Sequence, residues 1–308
     1  MEDVGKELNR IIKSRGVDGR YREMMQEVLQ DTDVRSFIEL HKAKLTQDDI
    51  EKSFAKLYEF VQEKKKFLTN DPTMIAPGYE PKLALNFHFI DVTYVPTDEL
   101  LKRKKEEEIR NRINSVDMPK DVRQASIRTF EVTSGRSEAL EAALDFINLY
   151  HAAPKDFHKA LYLVGDFGVG KTYLLGAMAH ELAVKGHETT LVHFPTFASE
   201  MKQAISTDKV GPKLDNVKRS AVLMIDDIGA DSMSAWIRDD ILGVILQYRM
   251  QEQLPTFFSS NFDMLQLEEH LSVTQRGDEE PLKAKRIMER IRYLSKEVWM
   301  IGENRRNG

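Results

Sequence analysis

Eight consecutive residues in the middle of the chain constrain its fold most strongly, because they follow the pattern G-x-x-x-x-G-K-[ST] from Gly165 to Thr172. The short apolar run 160–164 precedes them, and 173–183 shows helical spacing of apolar residues. Strand, glycine loop and helix in this order are typical of a phosphate-binding loop in an α/β protein. A glycine-rich turn that binds nothing is the alternative, and the setting on both sides disfavours it.

The chemistry of this loop predicts a nucleotide with a divalent ion. Its glycines allow successive backbone N–H groups to converge on an anion, and the following helix adds its positive N-terminal end. Lys171 can reach the β- and γ-phosphates, and the Thr172 hydroxyl can ligate Mg²⁺. We therefore expect ATP and Mg²⁺ as cofactors. The predicted nucleotide-binding residues are Gly165, Asp166, Phe167, Gly168, Val169, Gly170, Lys171 and Thr172.

A pair of carboxylates completes the predicted nucleotide site. The apolar run 221–225 is typical of a strand covered on both faces, and Asp226 and Asp227 follow it directly. At the carboxyl end of a parallel strand, such residues lie where α/β proteins bind ligands. We assign Asp226, together with Thr172, to the metal and Asp227 to the attacking water. A solvated acidic turn is the alternative, which the phosphate loop upstream disfavours.

The composition of the 308 residues excludes several classes of protein. The chain has no cysteine, which rules out disulfides and thiolate metal sites. No apolar stretch approaches the ~20 residues of a membrane span, and the N-terminus lacks the hydrophobic region of a signal peptide. With a net charge of −5, neither half is a broad basic platform for nucleic acid. We expect a cytoplasmic protein that does not associate with membranes.

Local patterns divide the chain into three parts. Residues 1–70 are predicted to be helical, with a capping box from Thr46 to Asp49, and 83–95 to form two short strands or a hairpin. The polar stretch 97–112 is typical of a solvated linker helix, which we favour over a DNA-binding patch. We therefore predict a small, mostly helical N-terminal domain (1–95), a polar linker (96–117) and an α/β ATPase domain (118–308).

The second half of the chain resembles the core of AAA+ ATPases. Strands alternate there with helices, which implies a parallel sheet with covered faces. Five strands are predicted, at 160–164, 189–194, 221–226, 256–261 and 297–301. The resemblance makes Asn261 the sensor-1 residue, which would contact the γ-phosphate and the attacking water. It makes Arg290, or as a second choice Arg286, the arginine finger; an ordinary strand-ending asparagine and surface arginines are the alternatives.

More narrowly, much of the chain resembles bacterial replicative helicase loaders of the DnaI/DnaC type. The specific features are the acidic pair and the segments 78–82, 259–261 and 288–292. The resemblance implies an AAA+ core without a C-terminal helical lid, and an N-terminal domain that binds a hexameric replicative DNA helicase. It also implies self-association when ATP is bound. The ATPase domain would bind single-stranded DNA while the helicase is delivered during primosome assembly.

The chain departs from the DnaI pattern at a metal site. The N-terminal domain of that family generally carries a cysteine-containing zinc site, whereas here only His88 is a nearby ligand. Zinc is therefore not expected, and the segment 64–75 either folds without metal or is disordered. The few residues after Ile301 leave no room for a helical lid with a sensor-2 arginine, as in other lidless loaders.

Two other functions share parts of this pattern. An IstB-like ATPase that assists a transposase would have a similar core, but residues 1–117 favour the loader. A small-molecule phosphotransferase also has a phosphate loop, but it needs neither Asn261 nor an arginine-finger helix. For single-stranded DNA we predict a basic patch between the second and third strands, with a solvated loop as the alternative. The patch consists of Lys202, Lys209, Lys213, Lys218 and Arg219.

Overall fold

The computed structural model describes residues 19–116, 122 and 124–305. The helical prediction for 1–18 and the predicted domain boundary at 117–118 lie outside these residues. The chain divides into two compact units, Met1–Glu106 and Glu107–Gly308. The predicted domain limits stay a prediction, because the helix α5 (Asp98–Asn111) spans this division.

In the described part of the first unit, helices precede an antiparallel hairpin. They are α1 (Gly19–Gln30), α2 (Thr32–His41), α3 (Gln47–Lys52) and α4 (Phe54–Leu68). β1 (Tyr79–Asn86) pairs with β2 (Phe89–Pro96), which confirms the predicted hairpin. The predicted capping box at the start of α3 is also confirmed, because Thr46 N–H donates to the Asp49 carboxylate and Asp49 N–H to the Thr46 hydroxyl, at 2.9 and 3.2 Å.

A buried carboxylate holds the segment 64–75, where the resemblance places zinc. Glu63 is 3% exposed and accepts the Ile75 N–H and the Lys66 ammonium, each at 2.8 Å. Lys66 also donates to the Thr73 carbonyl at 3.2 Å. Within the described ranges no group of three His, Cys, Asp or Glu side chains could hold a metal ion, so these residues do not fit the zinc site of the family. That the protein binds no zinc stays a prediction.

We expect Glu63→Gln to loosen this segment. The substitution keeps the size of the side chain but removes the negative charge that accepts from both Lys66 and the Ile75 N–H. We expect this to cost about 2 kcal/mol of local stability. Amide hydrogen exchange in 69–78 should become roughly 30-fold faster, at tenfold per 1.4 kcal/mol, and a chelator should not change the rate. Glu39→Gln is the control, because it breaks only an exposed ion pair with Lys42. Unchanged exchange in Glu63→Gln, or faster exchange of the unsubstituted protein with chelator, would contradict this account.

The second unit is built on a parallel sheet with the strand order β3-β5-β6-β7-β4-β8. Each strand pairs in parallel with its neighbours, as predicted. The central strands β4, β6 and β7 are buried along their whole length, which explains the apolar run of β4 and that of β6 before Asp226. The strands are β3 (Ile113–Val116), β4 (Ala160–Val164), β5 (Thr189–His193), β6 (Val222–Asp226), β7 (Thr256–Ser260) and β8 (Ser295–Trp299).

Within the described residues the sheet has six strands rather than the five predicted. Ile113–Val116, which we predicted to be part of the polar linker, pairs with Thr189–Val192 at the edge of the sheet. Four residues of mixed polarity give no clear period, so the sequence pattern does not identify this strand. The greater part of the predicted linker forms the helix α5, which confirms the helix predicted for 97–112.

Helices cover both faces of the sheet. Leu161 and Leu163 of β4 face one layer, and Tyr162 and Val164 face the other, as side-chain alternation requires. The first layer contains α6 (Ser137–Ala152) and α7 (Lys171–Val184). The second contains α8 (Phe194–Ala204), α9 (Val210–Lys218), α10 (Gly243–Gln251), α11 (Met264–Ser272) and α12 (Pro281–Leu294). The described residues after β8, 300–305, form no α-helix.

Candidate nucleotide-binding site

The phosphate loop lies between the end of β4 and the start of α7. Gly168 and Gly170 have φ angles of 77° and 99°, in the left-handed region that glycine adopts without strain. Gly170 is also the N-cap of α7, so the positive end of this helix faces the loop. A Cβ at Gly170 would lie 2.6 Å from Nη2 of Arg136. The backbone conformation therefore favours glycine at this position, and a Cβ would also displace the Arg136 guanidinium.

Lys171 lies in the centre of the site and is only 7% exposed. Its ammonium donates to the carbonyl oxygens of Gly165 and Asp166, at 2.8 and 2.9 Å, and to Oδ1 of Asn261 at 2.7 Å. The structure thus brings the loop lysine together with the residue that resembles sensor 1. An ammonium on neutral oxygens can exchange them for phosphate oxygens, because hydrogen bonds between ions are stronger.

Asp226 ends β6 and is 2% exposed. The Thr172 hydroxyl donates to its Oδ1 at 2.9 Å, and the Ser259 hydroxyl donates to the same oxygen at 2.5 Å. Burial raises the pKa of the Asp226 carboxyl, and these hydrogen bonds oppose that rise. A carboxylate beside a threonine hydroxyl offers the hard oxygen ligands that Mg²⁺ prefers. These residues therefore fit the predicted metal.

Asp227 follows in a different environment. Its φ of 61° lies in the left-handed region, and its N–H donates to the Ser259 hydroxyl at 3.0 Å. Its Oδ2 lies 3.8 Å from Nε2 of His193, whose Nδ1 is 2.8 Å from the Thr196 hydroxyl. The nearby Asp227 carboxylate raises the pKa of His193. His193 thus faces the predicted catalytic base, although the sequence did not single it out.

The two arginine-finger candidates lie on α12. Arg286 is exposed, whereas Arg290 is half-buried and donates to the Gly243 carbonyl at 2.9 Å. Burial lowers the pKa of Arg290. Within the described part of the chain, neither side chain lines the cavity at the phosphate loop. Their role at the site of a neighbouring subunit stays a prediction.

A cavity of about 540 Å³ adjoins the phosphate loop. Besides the loop and the acidic pair, the segment before β4 and the residues after β8 contribute to its walls. Arg305 N–H donates to the Gly168 carbonyl at 3.1 Å, and the Arg305 guanidinium pairs with Glu131. Single residues scattered over several segments carry no periodic signal, so the sequence did not indicate these walls. The lining residues missed in this way are Thr129, Glu131, Arg136, Tyr173, His193 and Arg305.

Comparison with known proteins covers the whole chain. Residues 1–94 match the family described as Primosomal protein DnaI N-terminus, and 90–307 match the family IstB-like ATP binding protein. The replicative helicase loader DnaI of Bacillus subtilis (strain 168) is 37% identical over 312 residues, which is 100% of each chain. A crystal structure of DnaI is 45% identical, with a TM-score of 0.57, over 64% of this chain and 99% of that one. A crystal structure of the DnaC helicase loader is 21% identical, with a TM-score of 0.51, over 59% of this chain and 100% of that one. This likeness supports the fold.

Fold and site define an ATP-binding protein of the AAA+ class. Within this class, the chain belongs to the DnaI family of replicative helicase loaders, which confirms the resemblance drawn from the sequence. Among the described residues, no helix combines the length and the apolar character needed to cross a membrane.

Proposed function

We propose that this protein is an ATP-dependent loader that binds a hexameric replicative DNA helicase and helps to deliver it onto single-stranded DNA. The observation that carries the proposal is the 2.7 Å bond from Lys171 to Asn261, beside the hydrogen-bonded pair of Thr172 and Asp226. This bond joins the two residues to which we assign the γ-phosphate. It therefore supports a site that distinguishes ATP from ADP, as a loading cycle requires. The DnaI-type N-terminal region of the same chain supports the helicase as partner.

Each polar residue of the site has a proposed role in hydrolysis. Lys171 binds the phosphates, and Asn261 orients the γ-phosphate and the attacking water. Asp227 orients or deprotonates that water. Thr172 and Asp226 would hold Mg²⁺, which neutralises charge on the phosphates when bound. Asp226, the more deeply buried carboxylate, suits the metal, and the less buried Asp227 can reach water.

Lys171→Ala should weaken ATP binding by roughly 10- to 100-fold, because it removes the charge-assisted bonds to the β- and γ-phosphates. Titration with a fluorescent ATP analogue measures this loss. Lys185→Ala is the matched control, since it removes a lysine just after the other end of the same helix, outside the cavity. If the Lys171→Ala protein bound the analogue as tightly as the unsubstituted protein, the nucleotide site would lie elsewhere.

We assign helicase binding to residues 1–95. Part of the apolar surface there builds the core of the unit, with Phe54 buried and Phe37 and Tyr58 packed against it. Other apolar side chains stay exposed, and these are the candidates for contact with a partner. They are Leu40, Leu68, Ile75, Phe87 and Phe89.

We assign single-stranded DNA to the ATPase unit, and the structure divides the predicted patch. Lys213 pairs with Glu200 and Lys218 with Asp215, both at 2.5 Å. Lys202, Lys209 and Arg219 are exposed, and none of them forms an ion pair within the described residues. Exposed cations without an acidic partner are the better phosphate contacts, so this subset is expected to carry the binding.

Affinity for oligothymidylate should be weak, should need ATP-dependent assembly and should fall steeply with salt. Changing Lys202, Lys209 and Arg219 together to glutamine should reduce the slope of log affinity against log salt by about 2, at roughly 0.7 per lost phosphate contact. Changing Lys213 and Lys218 to glutamine should leave the slope nearly unchanged. Fluorescence anisotropy at several salt concentrations measures both. A salt-independent signal, or equal slopes for all variants, would exclude this patch.

A transposase-assisting ATPase is the second candidate, because residues 90–307 match the IstB-like family. The DnaI N-terminal match over 1–94 and the identity along the whole chain favour the loader. ATPase turnover distinguishes the two, since a loader should respond to helicase with single-stranded DNA, and the alternative to a transposase.

A further inference from the structure

Arg136 is a buried cation beside the phosphate loop, and it has no role in the hydrolysis proposed for this site. The residue is 3% exposed and lies just before α6. Its Cζ lies 4.0 Å from the centroid of the Phe130 ring, and its Nη1 donates to the Glu131 carbonyl at 2.8 Å. The aromatic ring and the carbonyl hold the guanidinium in a defined position.

This guanidinium is incompletely satisfied. Its Nε is buried and has no hydrogen-bond partner in the described part of the chain. Glu131, whose backbone carbonyl accepts from Nη1, forms its side-chain ion pair with Arg305 instead. Burial lowers the pKa of Arg136, and the positive charge of Arg305 adds to this effect. A buried charge without a counterion is costly, so a bound anion would stabilise it strongly.

The surroundings of Arg136 identify the anion. Nη2 packs against Gly170 so closely that a Cβ there would lie 2.6 Å away. Arg136 lines the same cavity as Lys171 and Thr172. Lys171 is bonded to Asn261 at the end of β7, whereas Arg136 comes from the segment before β4. Two cations from separate elements therefore converge on one phosphate loop.

We propose that Arg136 binds the phosphates of the nucleotide held by its own chain, as a second cation beside Lys171. The proposal rests on the proposed function, since it needs ATP in this cavity. A phosphate supplies the missing negative charge, and a planar guanidinium can donate to two oxygens of one phosphate. Arg136 differs from an arginine finger, because a finger acts on the nucleotide of a neighbouring subunit.

Binding of ATP, ADP and inorganic tripolyphosphate to the full chain tests this proposal. Arg136→Gln should weaken all three by roughly 10- to 100-fold, because each offers phosphate oxygens. Arg136→Lys should lose less, since it keeps the charge but not the fork of donors. Arg128→Gln, at an exposed position of the same segment outside the cavity, should match the unsubstituted protein. Calorimetry measures the affinities, and thermal melting without ligand reports the fold of each variant.

Two results would overturn the proposal. If Arg136→Gln lowered the melting temperature but bound ATP normally, Arg136 would only brace Phe130 and Gly170. If ATP binding weakened while tripolyphosphate binding did not, the contact would be with the nucleoside. Where Arg136→Gln does not fold, Arg136→Lys gives the same comparison. Normal ATP binding by Lys171→Ala would instead refute the nucleotide site itself, so the two failures can be told apart.

Discussion

Asp227→Asn should leave ATP binding intact and lower turnover by ~10²-fold or more. The substitution keeps the volume of the side chain but removes the carboxylate that orients or deprotonates the attacking water. Asp227 suits this role because it lies beside the buried Asp226, is itself less buried, and adopts a left-handed conformation at the end of β6. Phosphate release from ATP measures turnover, and the fluorescent analogue measures binding.

Asp231→Asn is the matched control for this experiment. Asp231 is exposed in the same loop and does not line the cavity at the phosphate loop, so its substitution should leave turnover unchanged. Full turnover in Asp227→Asn would place the catalytic base elsewhere. Loss of ATP binding in this variant would mean that Asp227 acts in binding rather than in the chemical step.

Arg290→Ala should lower turnover by ~10³-fold, if Arg290 reaches the nucleotide of a neighbouring subunit. Mixing Arg290→Ala with Lys171→Ala protein should then restore part of the activity. The first variant supplies an intact phosphate loop, and the second supplies the finger. In the single chain Arg290 donates to the Gly243 carbonyl, so we expect this bond to open when subunits assemble.

The same mixing experiment with Arg286→Ala identifies which arginine is the finger. Arg286 is already exposed on the same helix, so it can reach a partner without breaking that bond. Arg292→Ala is the control, because Arg292 pairs with Glu268 and Glu289 of its own chain. If neither Arg290→Ala nor Arg286→Ala were rescued at any ratio, with all variants folded, a site shared between subunits would be excluded.

The nucleotide site could be predicted in part because its chemistry is local in sequence. Phosphate binding depends on glycines and a lysine within one loop, and the acidic pair follows directly on an apolar strand. Their common position follows from parallel topology, which places the ends of neighbouring strands at one edge. Asn261 needed the family resemblance as well, and the structure places its Oδ1 against Lys171.

The rest depended on contacts between segments that are distant in sequence. His193 ends β5, and Ser259 lies one residue before the end of β7. These strands lie on either side of β6, and only their pairing with it brings the two side chains to Asp226 and Asp227. Nothing in the sequence around Arg136 sets it apart from other arginines, and only the fold buries it against Gly170. The edge strand β3 was missed because its partner, not its composition, makes it a strand.

The central claim is tested most directly by loading of a hexameric replicative helicase onto closed circular single-stranded DNA, which has no end for a ring to thread. The helicase retained on the circle is measured after gel filtration, with ATP and with or without this protein. We expect co-elution of the protein with the helicase and a several-fold rise in loaded helicase. The rise should be lost with Lys171→Ala and kept with Lys185→Ala. A protein that binds and hydrolyses ATP, yet neither co-elutes with the helicase nor increases the loaded fraction, would contradict the account.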